Sequence, residues 1–224
     1  MGIDEVGRGS LAGPVVVAAV AVPKELRIRN YELGKLRDSK KLSAKQRELW
    51  FEYFKKHPQI TYSLAKVYPR VIERKNISKA ANLAALRAFR RLVSSFPEAE
   101  PRRKASFQRG RQVRYGAGKF QDPRFKIFLD GGLYLGNNIT TSQVVNNRTC
   151  DVKTLIKGDE KITAIKAASI LAKVSRDRFM KRLAKKYPRY GFEVHKGYGT
   201  KRHMRAIKKY GPSPAHRLTF LRFS

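Results

Sequence analysis

This chain of 224 residues predicts an α/β fold built on a mixed sheet. Three observations carry that expectation. The apolar run Pro14-Val15-Val16-Val17-Ala18-Ala19-Val20-Ala21-Val22 has the length and the β-branched content of a buried strand. Residues 60–67 alternate loosely and read as a further strand. Helical periodicity lies between and beyond such strands. It is clearest over 78–95, where Leu83, Leu86, Phe89, Leu92 and Val93 recur at three- and four-residue steps.

Taken in order, residues 2–22 read as a strand, a Gly-rich turn and a second strand. Asp38-Ser39-Lys40-Lys41 falls in a polar loop. Ser43 is placed to cap a helix over 44–56, with Leu49, Trp50 and Phe54 on one face. The strand at 60–67 and the helix at 78–95 follow. Residues 97–125 then break the order: they are basic, rich in Arg, Gly and Gln, and lack periodicity, so they read as a long loop or insertion. Lys126-Ile127-Phe128-Leu129-Asp130 is a short strand that ends in a carboxylate and Gly131-Gly132. Val152-Lys153-Thr154-Leu155-Ile156 is another, followed by Lys157-Gly158-Asp159. Thr163 opens a helix to about Lys186 whose small face is Ala164, Ala167, Ala168 and Ala172. A last helix covers 200–209. There is no internal repeat. The expectation is one domain over 1–224, with a basic insertion at 97–125 and a helical, substrate-binding C-terminal part from about 180 to 224.

Charge points to the partner. Lys and Arg number 50 against 17 Asp and Glu, a formal charge of +33. Such a charge opposes compaction unless a polyanion is near. Nucleic acid is the natural polyanion, because each neutralised phosphate releases counterions. The plain alternative is a solvated basic surface in a high-salt cell. The single cysteine, Cys150, excludes an internal disulfide framework and a cysteine-based zinc site, and suits a reducing compartment. No apolar stretch is long enough to span a bilayer, and the first residues lack a signal-peptide pattern. A soluble cytoplasmic monomer is expected.

Four carboxylates fall at strand ends or glycine turns: Asp4, Glu5, Asp130 and Asp159. Asp4 and Glu5 abut the core of a sheet, where isolated charge is costly. Ligand sites in open α/β sheets gather at strand ends. Hard divalent cations prefer oxygen ligands, and two held a few ångströms apart activate a water and stabilise the leaving oxygen of a phosphodiester. Each carboxylate alone has a plainer reading. Asp130 or Asp159 could be an exposed turn residue, and Asp4-Glu5 could serve an ion pair with Arg8.

Six stretches, in order, give a specific resemblance. Gly2-Ile3-Asp4-Glu5-Val6-Gly7-Arg8-Gly9 resembles the opening motif of type 2 ribonuclease H (ribonuclease HII). So do Arg37-Asp38-Ser39-Lys40-Lys41-Leu42, Leu129-Asp130-Gly131 and Lys157-Gly158-Asp159. They continue with Ala167 through Arg178, then Tyr190-Gly191-Phe192 through His195-Lys196-Gly197-Tyr198. The terminal Gly211-Pro212-Ser213-Pro214-Ala215-His216-Arg217 resembles the bacterial form, and Gly-Arg-Gly rather than Gly-Lys-Gly favours type 2 over type 3. The likeness spans nearly the whole chain apart from 97–125.

The resemblance implies a ribonuclease H-like mixed sheet flanked by helices. It implies an endoribonuclease that cleaves the RNA strand of RNA–DNA hybrids and nicks 5′ to ribonucleotides embedded in duplex DNA, leaving 3′-OH and 5′-phosphate ends. Asp4, Glu5, Asp130 and Asp159 would bind two metals, Mg²⁺ or Mn²⁺. Gly7, Arg8 and Gly9 would approach the ribose 2′-OH through backbone groups, for which small residues leave room. Tyr198 would pack near the sugar at the RNA–DNA junction, and Lys40, Lys41 and Lys173 would meet phosphates. For Lys173 a solvated helix face is the alternative, and for Tyr198 it is packing against the last helix.

Three departures stand out. Only three residues precede Asp4, so the first strand is expected to be clipped. Gly-Gly-Leu-Tyr follows Asp130 where the family more often has Gly-Asn. The 97–125 segment is outside the family pattern. His195, His203 and His216 lack the Cys or carboxylate partners of a zinc site, so structural or substrate-side roles are expected. The rival from another class is a non-catalytic basic RNA-binding protein.

Overall fold

The computed structural model describes residues 1–23, 26, 28, 33–34, 36–96, 124–136, 143–145 and 148–221, with backbone alone at 124–125, 143–145, 148–150 and 159–160. The elements are β1 (Gly2–Val6), β2 (Val15–Ala21), α1 (Ala44–Lys56), β3 (Thr61–Val67), α2 (Pro69–Lys75), α3 (Ile77–Ser94), β4 (Arg124–Asp130), β5 (Gln143–Val145), β6 (Arg148–Leu155), α4 (Gly158–Lys161), α5 (Thr163–Lys186), α6 (Phe192–His195) and α7 (Lys201–Tyr210). The six strands form one sheet in the order β3-β2-β1-β4-β6-β5. β1 pairs antiparallel with β2 and parallel with β4, and β4 runs parallel to β6. The expected mixed sheet is therefore present.

The strand alternation of side chains distributes the core. Every residue of β2 is buried. Val15, Val17 and Ala19 face α2 and α3, together with Ala84, Ala88 and Phe89. Ala18 and Val20 face the opposite layer, together with Trp50 and Phe54 of α1 and Ala168 and Ala172 of α5. The sheet is thus sandwiched between two helical layers. A third apolar cluster, which includes Met180, Ala184, Phe192 and Ile207, ties the end of α5 to α6 and α7.

Local chemistry explains the boundaries. Ser43 and Gln46 form a reciprocal capping box at α1: the Ser43 Oγ accepts from the Gln46 N–H at 3.2 Å, and the Gln46 side chain accepts from the Ser43 N–H at 2.9 Å. Asn76, at φ 64°, accepts from the Lys79 N–H and starts α3. Gly2 is fixed by packing, since a Cβ there would lie 2.3 Å from the Ala164 carbonyl carbon. The α5 backbone therefore rides directly on β1, and the small face of α5 makes that approach possible.

Some boundaries differ from expectation. Leu49 is 45% exposed, and the inner face of α1 is Trp50, Phe51 and Phe54. The helical turn carries Leu49 outward while Phe51 packs edge-on against Tyr62. β4 begins at Arg124 because its pairing with β6 runs from Arg124 opposite Thr149, so the insertion ends earlier than expected. β6 is longer than its apolar stretch because its first residues pair on both sides, with β4 and with β5. The short elements α2, β5, α4 and α6 carried too little periodicity to be read. Residues 97–123 lie outside the described residues. Among those described, no helix is long and apolar enough to cross a membrane.

Candidate active site

The parallel strands bring the carboxylates together. The register sets Gly2 beside Phe128 and Ile3 beside Leu129. The next step along both strands puts Asp4, in the middle of β1, next to Asp130, the last residue of β4, and ligands in such sheets gather at strand carboxyl ends. Asp130 is also level with Leu155, the last residue of β6. The chain then turns through Lys157 and enters α4 with Gly158 and Asp159. The Gly158 N–H donates to the Asp130 Oδ1 at 2.7 Å, which ties the two segments together. The Asp159 side chain is outside the described residues, so only its backbone is placed, one residue beyond this bond.

Asp4, Glu5, Val6, Ser39, Lys40, Arg47, Asp130, Ser169, Lys173 and Tyr198 line one cleft of about 380 Å³. Asp4 is 5% exposed. Burial, reinforced by the neighbouring charges of Glu5 and Asp130, pushes its carboxyl well above the usual range, while a hydrogen bond from Ser169 works against that rise. Ser169 in turn shares a 2.8 Å hydrogen bond with Ser39. Burial also raises Glu5, and the Arg8 guanidinium at 3.3 Å from its Oε1 opposes the rise. The Glu5 Oε2 is buried without a hydrogen-bond partner.

This donor set suits a hard cation. Like charges are crowded at strand ends, burial disfavours their ionised forms, and one oxygen has no donor. Oxygen-only ligands of this kind match Mg²⁺ or Mn²⁺. Among the described residues, no group of three His, Cys, Asp or Glu already forms a metal-holding cluster. Three carboxylates lining one cleft are what the described side chains provide, with Asp159 adjacent in the chain.

The expected substrate residues divide. Lys40 and Lys173 line the cleft, and Lys173 pairs with Asp177 at 2.9 Å. Lys41 is exposed and is not among the lining residues. The side chain of Arg8 reaches Glu5 and the Ser78 Oγ rather than the open cleft, so the plain ion-pair reading of Arg8 holds for that side chain. Tyr198 is 37% exposed and lines the cleft.

The two glycines of the turn differ in kind. A Cβ at Gly9 would meet nothing within 4 Å, which leaves the backbone open to approach. Gly7 has φ +92°, and a Cβ there would lie 2.3 Å from the Arg176 Nε. Its small size makes room for a protein side chain.

Sequence reasoning missed Ser39, Arg47 and Ser169 as cleft residues, and Arg176 and Arg217 as buried supports. One signal was present for Arg176. Residues Ala164, Ala168, Ala172, Arg176, Met180 and Ala184 recur every four residues and are all buried, so a charge interrupts a stripe of small and apolar side chains. The histidines, for which structural or substrate-side roles were expected, are buried and bonded to one another and to backbone. His195 and His203 stack at 4.2 Å, and the Nε2 atoms of His203 and His216 are 3.0 Å apart. The Ser213 N–H donates to the His216 Nδ1, so His216 carries its proton on Nε2 and donates to His203. His203 then donates from Nδ1 to the Tyr198 carbonyl at 2.9 Å. Burial holds His203 neutral, down to about 4.

Comparison with known proteins agrees with this geometry. The family model for ribonuclease HII matches residues 1–96 and 136–223. Those segments contain β1, α1, α3 and α5; Asp130 lies between them. The ribonuclease HII of Endomicrobium trichonymphae is 41% identical over 219 residues, covering 98% of this chain and 83% of its own. The ribonuclease HII in the PCNA complex of Archaeoglobus fulgidus is 26% identical and superposes with a TM-score of 0.65, covering 100% of this chain and 96% of that one. Ribonuclease H2 of Pyrococcus horikoshii, 24% identical with a TM-score of 0.65, shares the fold. The rival reading, a non-catalytic RNA-binding protein, is thereby set aside: this chain belongs to the ribonuclease HII family and is an endoribonuclease of the ribonuclease H type.

Proposed function

We propose that this protein hydrolyses the RNA strand of RNA–DNA hybrids and nicks duplex DNA on the 5′ side of an embedded ribonucleotide. The observation that supports this most is the side-by-side placement of Asp4 and Asp130, with Glu5, in a cleft that also holds Lys40, Lys173 and Tyr198. A purely binding surface gains nothing from negative charge where phosphates dock.

Asp4, Glu5, Asp130 and Asp159 would hold the divalent cations, Mg²⁺ or Mn²⁺. When bound, such ions lower the pKa of a water and stabilise a leaving oxygen. Lys40 and Lys173 orient the flanking phosphates by charge. The open backbone at Gly9 lets the Gly7-Arg8-Gly9 turn approach the 2′-hydroxyl, and that hydroxyl distinguishes RNA from DNA. The Tyr198 ring offers a flat surface to the sugar across the junction. Water attacks phosphorus, the bond from phosphorus to the 3′ oxygen breaks, and that oxygen leaves as a hydroxyl while the phosphate stays on the 5′ end. The basic C-terminal part, about 180–224, extends the contact with the duplex. We place the protein in the cytoplasm as a monomer, acting where replication and repair leave ribonucleotides in DNA.

The test is cleavage of end-labelled substrates, one a continuous RNA–DNA hybrid and one a DNA duplex with a single ribonucleotide, with Mg²⁺, Mn²⁺ or EDTA. Metal-dependent products with 3′-OH ends, cut 5′ to the lone ribonucleotide, are expected. Cleavage of the hybrid alone would remove the junction activity.

A further inference from the structure

Two arginines are fully buried with no carboxylate among their hydrogen-bond partners in the described residues. Arg176 and Arg217 are each 0% exposed. Burying a guanidinium is costly unless its donors are satisfied. Arg176 satisfies its donors across two separate segments. Its Nε donates to the Pro14 carbonyl at 3.0 Å, its Nη2 to the Ser10 Oγ at 2.7 Å and the Ala12 carbonyl at 3.1 Å, and its Nη1 to the Lys196 carbonyl at 2.9 Å. Ser10 returns to the turn by donating from Oγ to the Gly7 carbonyl at 3.0 Å. Arg217 adds bonds to the Gly13 and Arg8 carbonyls.

The backbone already staples these segments. The Leu11 N–H donates to the Gly197 carbonyl at 2.8 Å, and the Gly13 N–H to the Ala215 carbonyl at 2.8 Å. Arg176 is therefore not the sole link between the segments. What Arg176 adds is contact with both sides of the cleft wall at once. Its Nε fills the space where a Gly7 side chain would be, and its Cζ lies 5.4 Å from the centre of the Tyr198 ring. One rigid planar group thus spans from the Gly7-Arg8-Gly9 turn to the exposed aromatic ring.

We propose that Arg176 is a positioning residue that sets the spacing between the Gly7-Arg8-Gly9 turn and the Tyr198 ring, and that this spacing governs cleavage at a single ribonucleotide. The inference rests on the reading of the turn and Tyr198 as the contacts to the junction. A misplacement of about 1 Å in a reacting geometry costs up to about a hundredfold in rate. A long hybrid presents 2′-hydroxyls in many registers and tolerates a loosened wall; a lone ribonucleotide presents one. Lysine keeps the charge but lacks the planar fork, so it cannot span both sides.

The experiment measures kcat and KM for Arg176→Lys, Tyr198→Ala and the double variant on both substrates in Mg²⁺, with thermal unfolding recorded for each. For Arg176→Lys, kcat on the single-ribonucleotide duplex should fall about tenfold or more with KM changed by less than about threefold, and the long hybrid should lose less than about threefold. In the Tyr198→Ala background the same change should cost less than about twofold, because the ring it positions is gone. Ser10→Ala, which removes one acceptor and leaves the charge in place, should give a smaller loss on the junction in the same direction, and it serves if Arg176→Lys does not fold. Equal losses on both substrates, additive losses in the double variant, or no junction loss in Ser10→Ala and Arg176→Lys would overturn the proposal. A Tyr198→Ala variant that cuts the junction normally would overturn it too, by removing the contact it depends on. Asp130→Asn bears on the carboxylate reading alone, so the two failures are distinguishable.

Discussion

The two walls of the cleft treat charge in opposite ways. On the sheet side, Asp4 is buried and Glu5 half-buried beside like charges, both carboxyls are pushed up, and the Glu5 Oε2 lacks a hydrogen-bond partner. On the C-terminal side, Arg176 and Arg217 are more deeply buried, yet their guanidinium groups are met by backbone carbonyls and a hydroxyl. The three histidines behind them form a neutral chain in which each polar hydrogen has an acceptor. The sheet wall is electrostatically incomplete, as a site for a cation should be. The C-terminal wall is complete, as a support for a loop should be. A carboxylate that keeps a bare buried oxygen beside like charges marks a candidate cation site, whereas a guanidinium whose nitrogens are all bonded marks a support.

The sharpest way to break this contrast is to remove one charge from the incomplete wall. Asp130→Asn should reduce metal-dependent cleavage by roughly a thousandfold or more while hybrid binding changes little, because the lost interaction matters most in the transition state. Retained cleavage would take Asp130 out of the site.

Next comes the aromatic edge of the complete wall. Tyr198→Ala should lower the rate at a single embedded ribonucleotide by about ten- to a hundredfold, the range of one lost stacking contact, and affect a long hybrid less. Equal losses would reduce Tyr198 to a packing residue.

The neutral histidine chain predicts an acid weakness. His203 has its folded pKa lowered to about 4 from an ordinary 6.5. Below the ordinary value the unfolded chain takes up the proton first, so stability should be full above about pH 6.5 and fall as the pH drops toward 4. Thermal unfolding of the wild type against His203→Gln across that window checks it: the variant should show a shallower decline. Parallel curves would mean that His203 does not titrate with folding.

The smallest effect on chemistry belongs to the basic segment 97–125. Each phosphate contact it makes should add about 0.9 to the slope of log affinity against log salt. Deleting residues 102–119 should flatten that slope and leave the cut position unchanged. An unaltered slope would mean that the segment does not meet the substrate.

Much of this arrangement was legible in the sequence because it rests on local patterns. Ser43 as a cap marked the start of α1, the apolar run marked β2, and the small face of α5 was readable, though not that it would pack on β1. Carboxylates at strand ends were readable one at a time, but their convergence was not: Asp4 meets Asp130 through a parallel register between strands more than a hundred residues apart. The complete wall was the hardest to read. Arg176 and Arg217 look like two more cations in a chain of 50 Lys and Arg. What distinguishes them is burial against carbonyls contributed by residues 8–14 and 196; the four-residue stripe of α5 hints at the burial of Arg176, but no pattern names those partners.

On this reading the crowded carboxylates of the sheet wall destabilise the fold until a cation arrives. Thermal unfolding of the wild type and Asp4→Asn, each in EDTA and in Mn²⁺, tests it most directly. In EDTA the variant should unfold at a higher temperature than the wild type, because one buried charge is gone. At Mn²⁺ about a hundredfold above the dissociation constant, the wild type should gain about 2.7 kcal/mol, or roughly 5–10 °C, and overtake the variant, which gains much less. A variant less stable than the wild type in EDTA, or one that gains as much from Mn²⁺, would contradict the account.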